Sequence, residues 1–435
     1  MSDAAAQPVH LRRSHLAAAI IGNALEFYDF TTYAYFATQI GQTFFPSHDS
    51  FTSLMAALIT FGAGFVMRPV GGVVIGHYAD RVGRKPAMLL SFALMGVGVL
   101  GLALTPSYAS IGIAAPIFVV VIRMIQGFAL GGDVGPTTAI LMEAAPPKRR
   151  GLFGSLQYSS QGLATLLAGI AGVILASLLN AQQLQSFGWR IAFGLGAIVL
   201  PVGLIIRRRL PETLHALTAE AVPISAPLRS ILRTALTGLG MIMGATTGFY
   251  VLAYLSTYAQ TVLHMTANVS FASTLIFGAV NIVFSALGGW ASDIYGRKPV
   301  MISLRIVFLA SIYPAFFLIV HNPGAATLLA ATAFLAIFSQ ASGAPAFVAL
   351  AEAIPKRMRS TLLALVYAIG VATFGGTTQA IVTWLMHATG DIYAPAHYLA
   401  AGSLICLIAL LLMDETAPVA SRRLDSAVPE ADLGL

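Results

Sequence analysis

Apolar runs of about twenty residues or more recur along the whole chain, at roughly 16–41, 52–79, 87–106, 113–142, 151–179, 188–206, 235–260, 268–291, 299–320, 325–352, 361–388 and 394–413. A helix rises about 1.5 Å per residue, so each run reaches across a hydrocarbon core of about 30 Å. Lipid offers the backbone no hydrogen-bonding partner, and a helix is the form in which one segment satisfies its own N–H and C=O groups. With 57% hydrophobic and 9% charged residues, the chain cannot surround a core with a polar shell. The expected fold class is therefore an all-α membrane protein with twelve transmembrane helices. The first run follows the polar lead MSDAAAQPVHLRRS but carries Glu26 and Asp29 and has no small-residue cleavage site, so it is expected to stay as a span. The lone Cys406 excludes a disulfide framework, and no metal-ligand spacing occurs.

Lys and Arg are retained on the cytoplasmic side of a membrane, and successive spans alternate direction. Arg12 and Arg13, Arg81 to Lys85, Lys148 to Arg150, Arg207 to Arg233, Arg297 and Lys298, Lys356 to Arg359, and Arg422 with Arg423 all fall on one side of a twelve-span arrangement. Together they hold twenty of the 24 cations. Both termini are expected to be cytoplasmic, in a multi-pass protein of the cell's inner membrane. Topology accounts for the net charge of +7, so no nucleic-acid partner is expected.

The loop after the second span, GHYADRVGRKP at 76–86, recurs after the eighth as GWASDIYGRKP at 289–299. EAAPPKRRG at 143–151 is echoed by EAIPKRMRS at 352–360. The chain thus reads as two parallel six-helix bundles, 1–206 and 235–435, joined by a Pro-, Ser- and charge-rich linker at 207–234.

These loops, together with RMIQGFALGG at Arg123–Gly132, resemble the signatures of the major facilitator superfamily, and the likeness covers almost the whole chain. GNALEFYDF, GFVMRPVGG, RMIQGFALGGD, GWRIAF and RRRLPET resemble its metabolite–proton symporter branch, and FGGTTQAIVTWLMHATGD at 374–391 is most similar to the citrate and tricarballylate carriers. Asp133 departs from the Glu usual in that branch, which keeps the charge and shortens its reach. The resemblance implies two bundles around one central cavity, alternating access, and a proton gradient as the driving force with no cofactor. It also implies that the repeated loops form a conformational latch of Gly76, Asp80, Gly83, Arg84 and Glu143 in the first half and Asp293, Gly296, Arg297 and Glu352 in the second. Gly83 permits the tight turn, Asp80 can stabilise the following helix start, and Arg84 can reach Glu143. Anchoring of the topology would explain the cations alone, but not the glycine or the acids.

An ionisable group in hydrocarbon is costly unless it is paired or faces a wet cavity. Glu26, Asp29, Arg68, Arg123 and Asp133 lie within about 8 Å of their helix midpoints. Arg68 and Arg123 are candidate carboxylate ligands, because a guanidinium offers a planar fork and stays charged when desolvated. Fixed structural pairs with the acids are the alternative. Glu26, Asp29 and Asp133 are the candidate proton carriers. Asn23, Gln126, Gln161, Tyr250, Tyr254, Asn281, Gln340 and Gln379 are the candidate uncharged ligands, with the tyrosines also readable as packing. His264, His321 and His387 are expected to be solvated near outer helix ends. Arg190 and Arg305 are expected near helix ends with snorkelling stems. Glycines of the fourth and eleventh spans are expected to allow close packing.

Proton-coupled import of a small organic acid, citrate or a related di- or tricarboxylate, is the favoured function; the expected partners are that substrate, protons and lipid, and no protein partner. The alternatives are a symporter of α-ketoglutarate, shikimate, betaine or proline, a drug–proton antiporter, and a non-transporting sensor. The fifth span lacks the Gly-Pro-rich signature of the antiporters. No nucleophile constellation, nucleotide-cradling loop or metal cluster points to an enzyme.

Overall fold

The computed structural model describes residues 13–143, 145–208, 228–354 and 359–418. Twelve long helical stretches make up the fold, and no strand occurs among the described residues. They are α1 (Arg13–Tyr35), α2 (Ser50–Val66 continued by Arg68–Val82), α3 (Arg84–Leu104), α4 (Ala114–Glu143), α5 (Arg150–Leu178) and α6 (Trp189–Arg208). The second six are α7 (Leu228–Thr261), α8 (Ala267–Tyr295), α9 (Arg297–His321), α10 (Ala325–Ala353), α11 (Arg359–Gly370, a π turn Val371–Gly375, then Thr378–Thr389) and α12 (Ala394–Leu412). Among the described residues, α2 to α5 and α7 to α12 each contain a window long and apolar enough to cross a membrane.

The repeated loop has one backbone form in both copies. Gly83 ends α2 and starts α3 at φ 126°, ψ 153°, and Gly296 does the same between α8 and α9 at φ 104°, ψ 153°. A side chain at such a φ is strained, so glycine is what lets two spans meet with no intervening loop.

Two helix contacts position the interior. In the first half, α4 lies against α2 at glycine depth: a Cβ on Gly127 would stand 1.6 Å from the Gly64 carbonyl oxygen, and one on Gly131 2.0 Å from that of Arg68. Pro69, which has no N–H to donate, sits where α2 is interrupted at Met67. Across the halves, α5 packs along α8, and Ser159 donates to the Ile282 carbonyl at 3.0 Å.

The halves meet at both ends. On the face carrying the repeated loops, Asp293 at the end of α8 accepts from the backbone N–H groups of Gly151 and Leu152 at 2.8 and 2.9 Å. On the opposite face Phe51 stacks on His387 at 3.7 Å, Ser177 donates to Asn268 at 3.1 Å, and Gln39 donates to Gln260 at 3.5 Å.

Candidate functional site

Phe30, in the second half of α1, organises the charged half of the interior. The Arg68 guanidinium carbon lies 4.7 Å from its ring centroid and that of Arg123 4.1 Å, so the two charges are closer together than the sum of those distances. Arg68 also covers Phe65 at 3.8 Å, and Arg123 covers Tyr33 at 4.5 Å. The close α2–α4 contact brings these two cations into one box. A cation over a ring face gains electrostatically, but the ring leaves every N–H donor unused.

The two arginines differ in their partners. Arg123 donates from Nη1 to Asp29 at 3.1 Å and to Gln126 at 2.7 Å, with Asp29 on α1 and Gln126 one turn along α4. Arg68 is 2% exposed and interacts with the Tyr250 hydroxyl, but its Nε, Nη1 and Nη2 make no close hydrogen bond and no ion pair among the described residues. Glu26 is buried three residues before Asp29. The side chain of Asp133 lies outside the described residues.

Beside this box are two small hollows of about 20 and 10 Å³, which share Phe27, Phe249 and Tyr250. Spaces this small hold about one water each, whereas a metabolite needs hundreds of cubic ångströms. Together with the contacts at both ends, they describe a closed arrangement of the two halves.

Of the ten residues expected to bind substrate, Gln161 and Tyr250 line the larger hollow. Tyr250 packs edge-on to Phe65, the ring that Arg68 covers. Asn23 donates to Ser160 at 2.6 Å, joining α1 to α5. Tyr254 accepts from Thr383 at 2.8 Å, and Asn281 accepts from Ser285 at 2.7 Å. Gln340 and Gln379 are buried, and neither polar atom of the Gln379 amide has a partner among the described residues. Tyr158, Thr246 and Tyr367 line the larger hollow and were not singled out from sequence. Tyr158 sits in the polar run Gln157–Gln161 and Thr246 beside Thr247, so the pattern does not single out which of these groups faces the hollow.

The second-half latch residues converge. Arg297 donates to Asp293 at 2.7 Å and to both Glu352 oxygens at 3.2 Å. The acid of the loop does not serve the helix that follows it, as expected for Asp80, but the start of α5 in the other half. The start of α9 is instead capped by Glu415, which accepts from the N–H groups of Arg297 and Lys298 at 3.0 and 2.9 Å. Glu415 carried no signal in the sequence, being more than a hundred residues from its partners. Gly76 faces open space. The side chains of Asp80, Arg84 and Glu143 lie outside the described residues.

His264, His321 and His387 are exposed, as expected. Arg190 donates to the Thr105 carbonyl at 2.7 Å and stacks on Trp189. Arg305 does not snorkel. It is 0% exposed inside the second six helices, with Nη1 directed at the Gly244 carbonyl 3.4 Å away. One helix's pattern shows the depth of a side chain along the axis but not what packs around it.

Residues 19–281 match the Major Facilitator Superfamily, and residues 224–425 match a group described as sugar (and other) transporters. The citrate-proton symporter of Klebsiella pneumoniae is 34% identical over 406 residues, covering 92% of this chain and 91% of that one. The glycine betaine/proline/ectoine/pipecolic acid transporter OusA of Dickeya dadantii is 31% identical over 439 residues, covering 96% and 86%. Among solved structures, the inward-open xylose transporter XylE from E. coli superposes with a TM-score of 0.75 at 18% identity, over 94% of this chain and 98% of that one.

Proposed function

The chain belongs to the major facilitator superfamily, and from that premise we propose that it imports a small carboxylate with protons by alternating access, citrate or a related di- or tricarboxylate being the substrate. The observation that carries this reading is the buried Arg68 guanidinium, which among the described residues has no ion pair and no close hydrogen bond, set beside a second cation in the same aromatic box. A buried cation without an acid is costly, and a carboxylate arriving in the adjacent cavity relieves that cost through two parallel hydrogen bonds. The Klebsiella relative supports the substrate class.

Proton coupling follows from the Arg123–Asp29 pair. A substrate carboxylate and Asp29 compete for the same guanidinium, and a proton on Asp29 frees Arg123 to engage the substrate. Each proton also offsets negative charge that would otherwise cross against an inside-negative potential, at about 2.3 kcal/mol per charge per 100 mV. Glu26 and Asp133 are the other acids in this role. The protein sits in the inner membrane with the repeated loops and both termini cytoplasmic.

A second reading has one observation behind it. The hollows are lined by Phe27, Phe30, Tyr35, Phe249, Tyr158, Tyr250 and Tyr367, the kind of surface that holds a quaternary ammonium, and the Dickeya relative is named for betaine. Uptake of labelled citrate, tricarballylate, betaine and proline into proteoliposomes, with and without an inward proton gradient, separates the two. The carboxylate reading expects gradient-dependent uptake of citrate or tricarballylate; betaine uptake uninhibited by either would replace it.

A further inference from the structure

Arg305 is a buried cation to which neither the latch nor the Arg68–Arg123 box gives a task. Among the described residues it has no ion pair, its Nε has no hydrogen-bond partner, and its bond to the Gly244 carbonyl is long at 3.4 Å. Its guanidinium carbon stands 5.5 Å from the Phe308 ring, a distant contact for a charge taken out of water. Such a cation is expensive to keep in a membrane-embedded interior unless it faces a cavity or an anion.

Its depth matches that of the cavity. Arg305 stands eight residues in from the start of α9 at Arg297, as Tyr158 does from Arg150 in α5. Eight residues are about 12 Å of helix, and both helices start on the face of the repeated loops, so the two side chains lie at about one depth. Tyr158 and Tyr367 line the larger hollow, and so do Ala245 and Thr246, which directly follow Gly244. Arg305 is within electrostatic reach of Tyr158 in the opposite half.

The partition between Arg305 and the hollow is thin. A Cβ placed on Gly343 of α10 would lie 3.9 Å from Arg305 Nη2 and 3.4 Å from the Ala245 methyl. Gly343 thus neighbours both the guanidinium and Ala245, and Ala245 lines the hollow.

We propose that Arg305 is the carboxylate anchor of the second half, reached through the Ala245–Gly343 gap when α7 and α10 part to admit substrate. The proposal rests on the carboxylate reading of the cavity and adds to it. With Arg68 in the first half and Arg305 in the second, a di- or tricarboxylate bridges the two halves and favours their closure, whereas a single carboxylate cannot engage both.

The test measures tricarballylate binding by calorimetry, together with ligand-free melting temperature, on the purified full chain and on Arg305→Met, Arg305→Lys and Ala245→Val. The expected result is a Kd raised at least about tenfold by Arg305→Met, a smaller rise for Arg305→Lys, and a rise for Ala245→Val, which narrows the gap without touching the cation. Arg305→Met binding within about twofold of the parent overturns the proposal, as does weakened binding that tracks a lowered melting temperature while Ala245→Val binds like the parent. If Arg305→Met does not fold, Ala245→Val decides: weakened binding supports the gap and parental affinity overturns it. A parent chain that binds no tricarballylate or citrate refutes the carboxylate reading itself, and this inference with it; that outcome is visible before any variant is made.

Discussion

Arg68 and Arg123 share the Phe30 ring but not their obligations, and the difference sets separate expectations for their variants. Arg68→Lys keeps a charge and removes the fork, so half-saturation by citrate should rise at least about tenfold, with little change in ligand-free stability because among the described residues no ion pair or close hydrogen bond is lost. Uptake kinetics like the parent's would remove Arg68 from the site. Asp29→Asn should instead impair accumulation driven by the gradient more than citrate–citrate exchange, since exchange proceeds without unloading the proton. Equal accumulation by Asp29→Asn, Glu26→Gln and Asp133→Asn would place the proton elsewhere. The sequence exposed these residues because a charge inside an apolar run has few structural excuses. It could not show which arginine was already engaged, since the Asp29–Arg123 bond joins positions 94 residues apart. Nor could it separate Tyr250, which lines the cavity, from Tyr254, which accepts from Thr383 one turn away on the same stripe.

Helix ends are where the elements are held, and two acids illustrate it. Asp49 caps α2, accepting from the Thr52 hydroxyl and from the backbone N–H groups of Phe51 and Thr52, and these bonds hold its carboxyl below the usual carboxylate range. A depressed folded value stabilises the helix above the unfolded value of about 3.9 and loses that contribution as pH falls through the folded one. The melting-temperature gap between the parent and Asp49→Asn should therefore narrow on acidification, and a gap constant down to about pH 3 would falsify the cap. Asp293 does the corresponding work between elements, at the N-terminus of α5, where an anion meets unpaired N–H groups and the positive end of the helix dipole. Ser155, fully buried against Gly289 one turn further in, reports on that contact. A cysteine at Ser155 should be unreactive to a polar thiol reagent in the parent and reactive in Asp293→Ala; equal protection in both would show that side-chain packing alone closes this end. Most helix ends were legible to within a few residues because membrane thickness fixes their length, but α7 already runs at Leu228, seven residues inside the stretch expected to be linker. The break at Met67 and the π turn at Val371–Gly375 were not, because they answer to neighbours: Phe65 fits against Gly376 at a distance no added Cβ would allow.

At the scale of the whole molecule, duplication supplies two hinge points of one design, Gly83 and Gly296, and a cavity between the halves that is shut at both ends. A closed carrier must open one end at a time, so the contacts of each end should oppose opening there and favour it at the other. The twelve-span order and the repeat could be read from sequence because both are linear patterns. The tie from Glu415 back to the start of α9 could not, because it is made by the chain after its last span. The orientation proposed here rests on the cation pattern, and exposed loop positions test it. Asp49 and Thr389 are exposed on one face, Lys148 and Arg149 on the other. Because Cys406 is buried, single cysteines at these positions can be read with little background. In intact cells an impermeant reagent should label cysteines at 49 and 389 and spare those at 148 and 149, with all four reacting once the membrane is permeabilised. The reverse pattern would invert the chain without reversing transport, because alternating access exposes the same Arg68 and Asp29 chemistry to both sides and a symporter carries its substrate down the combined gradients of substrate and protons.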